Sequence, residues 1–117
     1  MKILIAVDTS AAAQEATLVT KRLFPNAQHL IISAASIAPY IVTDPFGGGA
    51  IAINRSMDAL NTSEVLADEA LQTAQRVVGK STADSVELGD AGQVICEQAI
   101  EHGADIIVVG RSSRNWF

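Results

Sequence analysis

Two short polar runs carry the residues best suited to hold a ligand. Asp8-Thr9-Ser10 ends the apolar run Ile3-Leu4-Ile5-Ala6-Val7, and Gly110-Arg111-Ser112-Ser113-Arg114 ends Ile106-Ile107-Val108-Val109. Asp8 supplies a carboxylate that accepts hydrogen bonds from a hydroxyl or an amine. The second run joins a glycine, past which a ligand can approach the backbone closely, to guanidinium and hydroxyl donors suited to an anion. In open parallel sheets, ligands lie at the carboxyl ends of strands where the strand order reverses. Ordinary surface loops would read the same way, and pattern alone does not separate the two.

Other reactive residue types point to less. Lone Cys96 reads as a small buried hydrophobe on a helix, with no basic neighbour in sequence to lower its thiol's pKa. His29 reads as a strand-edge polar residue, and His102 as a cation favouring a helix carboxyl end. Neither has an evident orienting acid, so pairing either with Ser10 makes no catalytic triad. No His, Cys and carboxylate cluster has metal-ligand spacing. Gly47-Gly48-Gly49 is not followed by Gly-Lys-Ser/Thr and so is no phosphate-binding P-loop. After strand one, Ala11-Ala12-Ala13 replaces the hydroxyl-rich phosphate loop of a flavin electron carrier. Gly89 follows Leu88 where a phosphorylated receiver domain would end its third strand in Asp.

The elements that position the two polar runs follow from patterning. A chain of 117 residues, 49% of them hydrophobic, is expected to form one domain over 1–117 with a packed core. Its net charge of −5 leaves no basic stripe for nucleic acid. Asp8 cuts the first apolar run too short for a signal peptide, and no run approaches a membrane span of ~20 residues. A cytoplasmic protein with neither nucleic-acid nor membrane partners is expected.

Four β-branched residues in a row at 106–109 suit a strand buried on both faces. Thr9 or Ser10 caps a helix whose apolar face runs through Ala16, Thr20, Leu23 and Phe24, ended by Pro25-Asn26. A second strand spans 29–35. The stretch from Ser36 to about Arg55, with two prolines and the glycine run, reads as a long irregular loop. A long helix follows from about Ser56 or Thr62, with Leu66, Ala70, Ala74, Val77 and Val78 at helical spacing and Gly79 at its end. Ser85-Val86-Glu87-Leu88 alternates as a half-exposed edge strand. Asp90-Ala91-Gly92-Gln93 has capping-box form and opens a helix closed by His102 and Gly103, after which Asp105 turns the chain into the last strand. This alternation predicts a three-layer α/β/α sandwich with a parallel sheet, and Ile5 beside Val108 at its centre.

Over essentially its whole length the chain resembles the universal stress proteins. The resemblance rests on Lys2 to Ser10, Ile31-Ile32-Ser33-Ala34, Gly89-Asp90, and most specifically Gly103-Ala104-Asp105-Ile106-Ile107-Val108-Val109-Gly110. It implies a Rossmann-like fold of the adenine nucleotide alpha hydrolase type, with strand order 3-2-1-4 and the family's fifth strand absent. Some members bind ATP, which implies a stress-response regulatory module taking ATP or another adenine nucleotide, with Mg²⁺ beside its phosphates. Asp8, with Thr9 and Ser10, matches the Asp after strand one, and Ala34 matches the adenine-contacting backbone position. Gly110 matches the first glycine of the family's phosphate signature, followed by Arg111, Ser112 and Ser113. Ser113 stands where the second glycine belongs, and the remainder of that signature is not in the chain. A slow ATPase side activity fits the family, yet no residue stands out as its general base. The alternative is a dimeric interaction module that needs no nucleotide. Either Phe117 is not the natural end or another subunit covers strand four, so a homodimer or higher homo-oligomer is expected, with Trp116 buried at a contact or against its own sheet.

Overall fold

The computed structural model describes the backbone of residues 1–35 and 49–110, and the side chains of 1–35 and 62–110. Within them the order is β1 (Lys2–Val7), α1 (Ala11–Leu23), β2 (Gln28–Ala35), α2 (Gly49–Val78), β3 (Ser85–Leu88), α3 (Ala91–His102) and β4 (Ile106–Val109). The four strands are parallel in the order β3-β2-β1-β4. Ile5 faces Ile31 on one side and Val108 on the other, the pairing the sequence predicts.

Alternation along β1 sorts the core into two layers, because successive side chains leave opposite faces of a strand. Ile3, Ile5 and Val7 pack with Ile31 against Ala13 of α1 and Ala70, Leu71 and Ala74 of α2. Leu4 packs with Leu30 and Ile32 against Val94 and Ala99 of α3. Ile3, Leu4, Ile5, Ile31 and Ile32 are completely buried. Each such side chain contributes about 1.5–3 kcal/mol relative to exposure. The helical faces toward the sheet are lined largely by alanine and threonine, which lets the helix backbones approach it closely.

Local signals account for the helix ends. Ser10, rather than Thr9, caps α1, its hydroxyl accepting the Ala13 N–H at 3.1 Å. Asp90 caps α3 by accepting the Gln93 N–H at 3.1 Å. The reciprocal half of the capping box is not made, because the Gln93 side chain donates to Glu97 instead. Gly103 ends α3 in the left-handed conformation at φ 65°, where a side chain would be strained. Asp105 ties β4 to β1: its N–H donates to the Lys2 carbonyl at 2.8 Å and its carboxylate accepts the Lys2 N–H at 2.8 Å.

Several expectations are corrected. The strand 106–109 is not buried on both faces; Ile107 and Val109 are 42% and 57% exposed. It lies at the end of the sheet, and the described helices cover only the face carrying Ile106 and Val108. Helix α2 begins at Gly49, ahead of the expected start. Ala50 to Asn54 contain no proline, and a helix already nucleated downstream extends backward at little cost. Residues 36–48 of the anticipated loop lie outside the described residues. The buried stripe of α1 is Ala13, Thr17 and Thr20, leaving Leu23 exposed. On α2 the buried stripe is Ala67, Ala70, Leu71 and Ala74, leaving Leu66 exposed. Cys96 is exposed, not buried. Burial on α3 centres on Val94 and Ala99, and Cys96 sits roughly 120° around the helix from the middle of that face.

Candidate functional site

The carboxyl ends of β1 and β4 lie side by side, with β2 leading away on the other side of β1. A cleft of about 400 Å³ opens at this reversal of strand order. Asp8, Ser10, Ala34 and Gly110 all border it, so the structure brings together four residues singled out in the sequence. Thr9 is exposed but is not among the described residues bordering the cleft. Arg111, Ser112 and Ser113 lie outside the described residues, as does Trp116.

Asp8 is exposed just beyond β1, and one of its carboxylate oxygens is already committed. Asp8 Oδ1 accepts the Ser10 N–H at 2.8 Å and also the Ser10 hydroxyl. That hydroxyl in turn accepts the Ala13 N–H. The carboxylate, the cap and the first turn of α1 therefore form one hydrogen-bonded chain, so Asp8 cannot rotate without loosening the helix start. Its negative charge also stands next to the positive end of α1.

Gly110 has a packing role that its sequence context does not reveal. A Cβ at this position would stand 2.5 Å from Ala12 C and Ala13 N, and 2.6 Å from Ala12 O. Glycine is thus required for the end of β4 to cross the first turn of α1, whether or not a ligand is present. This contact draws β4 and α1 together on one flank of the cleft. Ser33, next to Ala34, donates its buried hydroxyl to the Val7 carbonyl at 3.1 Å and closes the β1–β2 flank.

Sequence reasoning missed the far wall. Ala91 and Ile95 of α3 border the cleft, together with Ile32 and Ala13. The signal for them is Gly89-Asp90, which ends β3 and starts α3 at the same end of the sheet. Most of the lining is apolar and small-chained, with Asp8 and Ser10 as polar points. Such a cleft can take a flat, mostly apolar ring and offer a carboxylate to its hydroxyl or amine groups. Among the described residues no group of three or more His, Cys, Asp or Glu is placed to hold a metal ion.

A parallel sheet ordered 3-2-1-4, helices on both faces and a crevice at the switch point define a doubly wound α/β fold. The family model of the universal stress proteins matches residues 1–117, and the chain belongs to that family. No curated protein sequence is similar enough to count as a relative. Among solved structures, the chain is similar to universal stress protein UspA from Lactobacillus plantarum, with 20% identity and a TM-score of 0.69 over 100% of this chain and 83% of that one. A universal stress protein family member from Burkholderia pseudomallei is 21% identical, with a TM-score of 0.52 over 94% and 80% of the two chains. A universal stress protein in complex with cAMP is 19% identical, with a TM-score of 0.55 over 93% and 75%. At these identities the likeness concerns the fold.

Proposed function

We propose that this chain is a stress-response regulatory module that binds an adenine nucleotide in the cleft at the carboxyl ends of β1 and β4. The observation that carries the reading is the convergence of Asp8, Ser10, Ala34 and Gly110 on one cleft of about 400 Å³ at the switch point of the sheet. The adenine lies against the small apolar lining, near the backbone of Ala34. The second oxygen of Asp8 accepts from the ribose, its first being held by Ser10. The phosphates extend past Gly110 toward Arg111, Ser112 and Ser113, with Mg²⁺ accompanying ATP. That a structural neighbour is described as a complex with cAMP supports a nucleotide as the ligand class. The proposed role is binding and sensing, with at most a slow ATPase side activity.

Titration of the full chain with ATP, ADP, AMP and cAMP tests this directly. Saturable binding is expected, weakened by Asp8→Ala by about 1–3 kcal/mol, the cost of losing a charge-assisted hydrogen bond. No binding by the parent protein at millimolar nucleotide would remove the reading.

A second reading has its own observation. Ile107 and Val109 are exposed apolar residues on β4, the end strand among the described residues, and Ile100 of α3 is 83% exposed. An apolar edge of this kind favours pairing with another chain. It supports a homodimer or higher homo-oligomer that acts as an interaction module, with or without nucleotide.

A further inference from the structure

We propose a second ligand site at the opposite end of the sheet, for a small molecule bearing a phosphate group. A cavity of about 440 Å³ opens where β1 and β2 begin, between the turn before β3 and the end of α3. Lys2, His29, Lys80 and His102 line it, with Ser81 and Thr82 from the turn. The chain has only two histidines, and they lie 73 positions apart in sequence, yet both border this one cavity. With 13 acidic residues against 8 Lys and Arg, a basic lining runs against the composition of the whole molecule. No carboxylate occurs among the described residues of the lining.

The wall is held in shape without a ligand. Asp84 accepts the Ser81 N–H at 2.8 Å with one oxygen and the Ile31 N–H at 2.9 Å with the other, so the turn is fastened to β2. The Ser81 hydroxyl accepts the Ala83 N–H at 3.2 Å, and the Ser81 carbonyl accepts the Asp84 N–H at 3.1 Å. Lys2 Nζ donates to the His102 carbonyl at 2.7 Å, which fixes the ammonium at the rim and leaves it two further protons to donate. His102 Nε2 lies 3.2 Å from the Gln98 side-chain oxygen. His29 forms part of the wall; its Nε2 has no hydrogen-bond partner but is shielded from solvent, so it is not among the contacts to the occupant.

The Lys2 and Lys80 ammonium groups offer positive charge to an anion that enters the cavity. The donors are the Lys2 and Lys80 ammonium groups and the Ser81 and Thr82 hydroxyls, spread over several elements, which suits the several oxygens of a phosphate rather than one flat carboxylate. The volume is much larger than a lone phosphate group, so the occupant is a phosphorylated metabolite or a pyrophosphate. The site shares none of its described lining residues with the cleft that borders Asp8 and Gly110. It stands or falls independently of the nucleotide reading.

The test is amide NMR and calorimetry on the full chain with pyrophosphate and, separately, a sugar monophosphate, against sodium chloride of matched ionic strength. Saturable shifts are expected at Leu30, Ser81, Thr82 and Ala83, with the amides from Asp8 to Ala13 and Gly110 unmoved. Lys80 is exposed on the turn, so Lys80→Glu should leave the fold intact and weaken binding about tenfold or more, the effect of losing a charge-assisted contact and adding a like charge. Lys80→Arg should keep most of the affinity. Lys2→Met gives the same direction of effect from a second element. The proposal is overturned if neither probe produces saturable shifts beyond those of chloride. It is equally overturned if the shifts fall only at the Asp8–Gly110 cleft, or if folded Lys80→Glu binds as tightly as the parent.

Discussion

Replacing Gly110 with alanine separates what holds the cleft together from what binds in it. The added methyl would meet Ala12 C and Ala13 N at 2.5 Å, against the 3.4 Å or more of ordinary contact. Something must therefore move by roughly 0.9 Å, and the obstacle is helix backbone, with no flexible side-chain tip to swing aside. Inserting a methylene into a packed site costs about 1–3 kcal/mol, and a backbone obstacle puts this site at the upper end, about 2–3 kcal/mol. With an unfolding entropy of ~2.1 cal/mol/K per residue, a chain of this length loses about 4 °C of Tm per kcal/mol, so Tm should fall by about 8–12 °C. Thermal unfolding followed by circular dichroism without any nucleotide is the assay. The α1 amides from Ala12 onward should shift, because either α1 or the end of β4 has to retreat. An unchanged Tm would show that Gly110 is not clamped against α1. The flank of the cleft described above would then be wrong, and ligand approach would become the better reason for glycine here.

Two further substitutions probe the frame and the exposed edge. Asp84→Ala removes the acceptor of the Ile31 and Ser81 N–H groups and of the Gln75 amide at 3.0 Å, leaving the N–H of a fully buried residue unpaired. A loss of about 2–3 kcal/mol in a denaturant titration is expected, and a change below about 0.5 kcal/mol would mean that the turn before β3 is not fastened as described. Ile107→Lys places a charge on the exposed face of β4; because Ile107 is still more than half buried, the monomer should lose about 1 kcal/mol and remain folded. If that face joins copies of the chain, light scattering should show an oligomer in the parent and a shift toward monomer in the variant. A monomeric parent at micromolar concentration would end the interaction-module reading.

What was legible in the sequence is what depends on local pattern. β1 and β2 are recognisable because a parallel strand covered on both faces leaves an unbroken apolar run, and Ser10, Asp90 and Gly103 are recognisable because helix ends demand their chemistry. The apolar run of β4 misled for an instructive reason. A run of β-branched residues records what a strand can tolerate, whereas burial depends on neighbours, and Ile107 and Val109 have no described helix over them. Leu23 and Leu66 failed similarly. In α1 and α2 the sheet selects the small stripes Ala13-Thr17-Thr20 and Ala67-Ala70-Ala74, because close approach of helix to sheet gains more than a larger side chain held farther away.

Features made by distant residues had no local signature at all. Gly110 looks like a ligand-facing glycine until the first turn of α1 is found 2.5 Å from its missing Cβ. Each histidine taken alone has a sufficient local explanation, one near the start of a strand and the other at the end of a helix. Only the parallel β1–β2 pairing and the return of α3 to the amino ends of the strands bring them to one cavity with Lys2 and Lys80. The two ends of the sheet thus differ in kind. At the carboxyl ends a single carboxylate stands in a small-chained apolar cleft, which favours a ring with donor groups. At the amino ends a basic cavity has no described carboxylate of its own, which favours an anion. A domain with both could report two ligands through one sheet, since β1 carries Lys2 at one end and leads directly into Asp8 at the other.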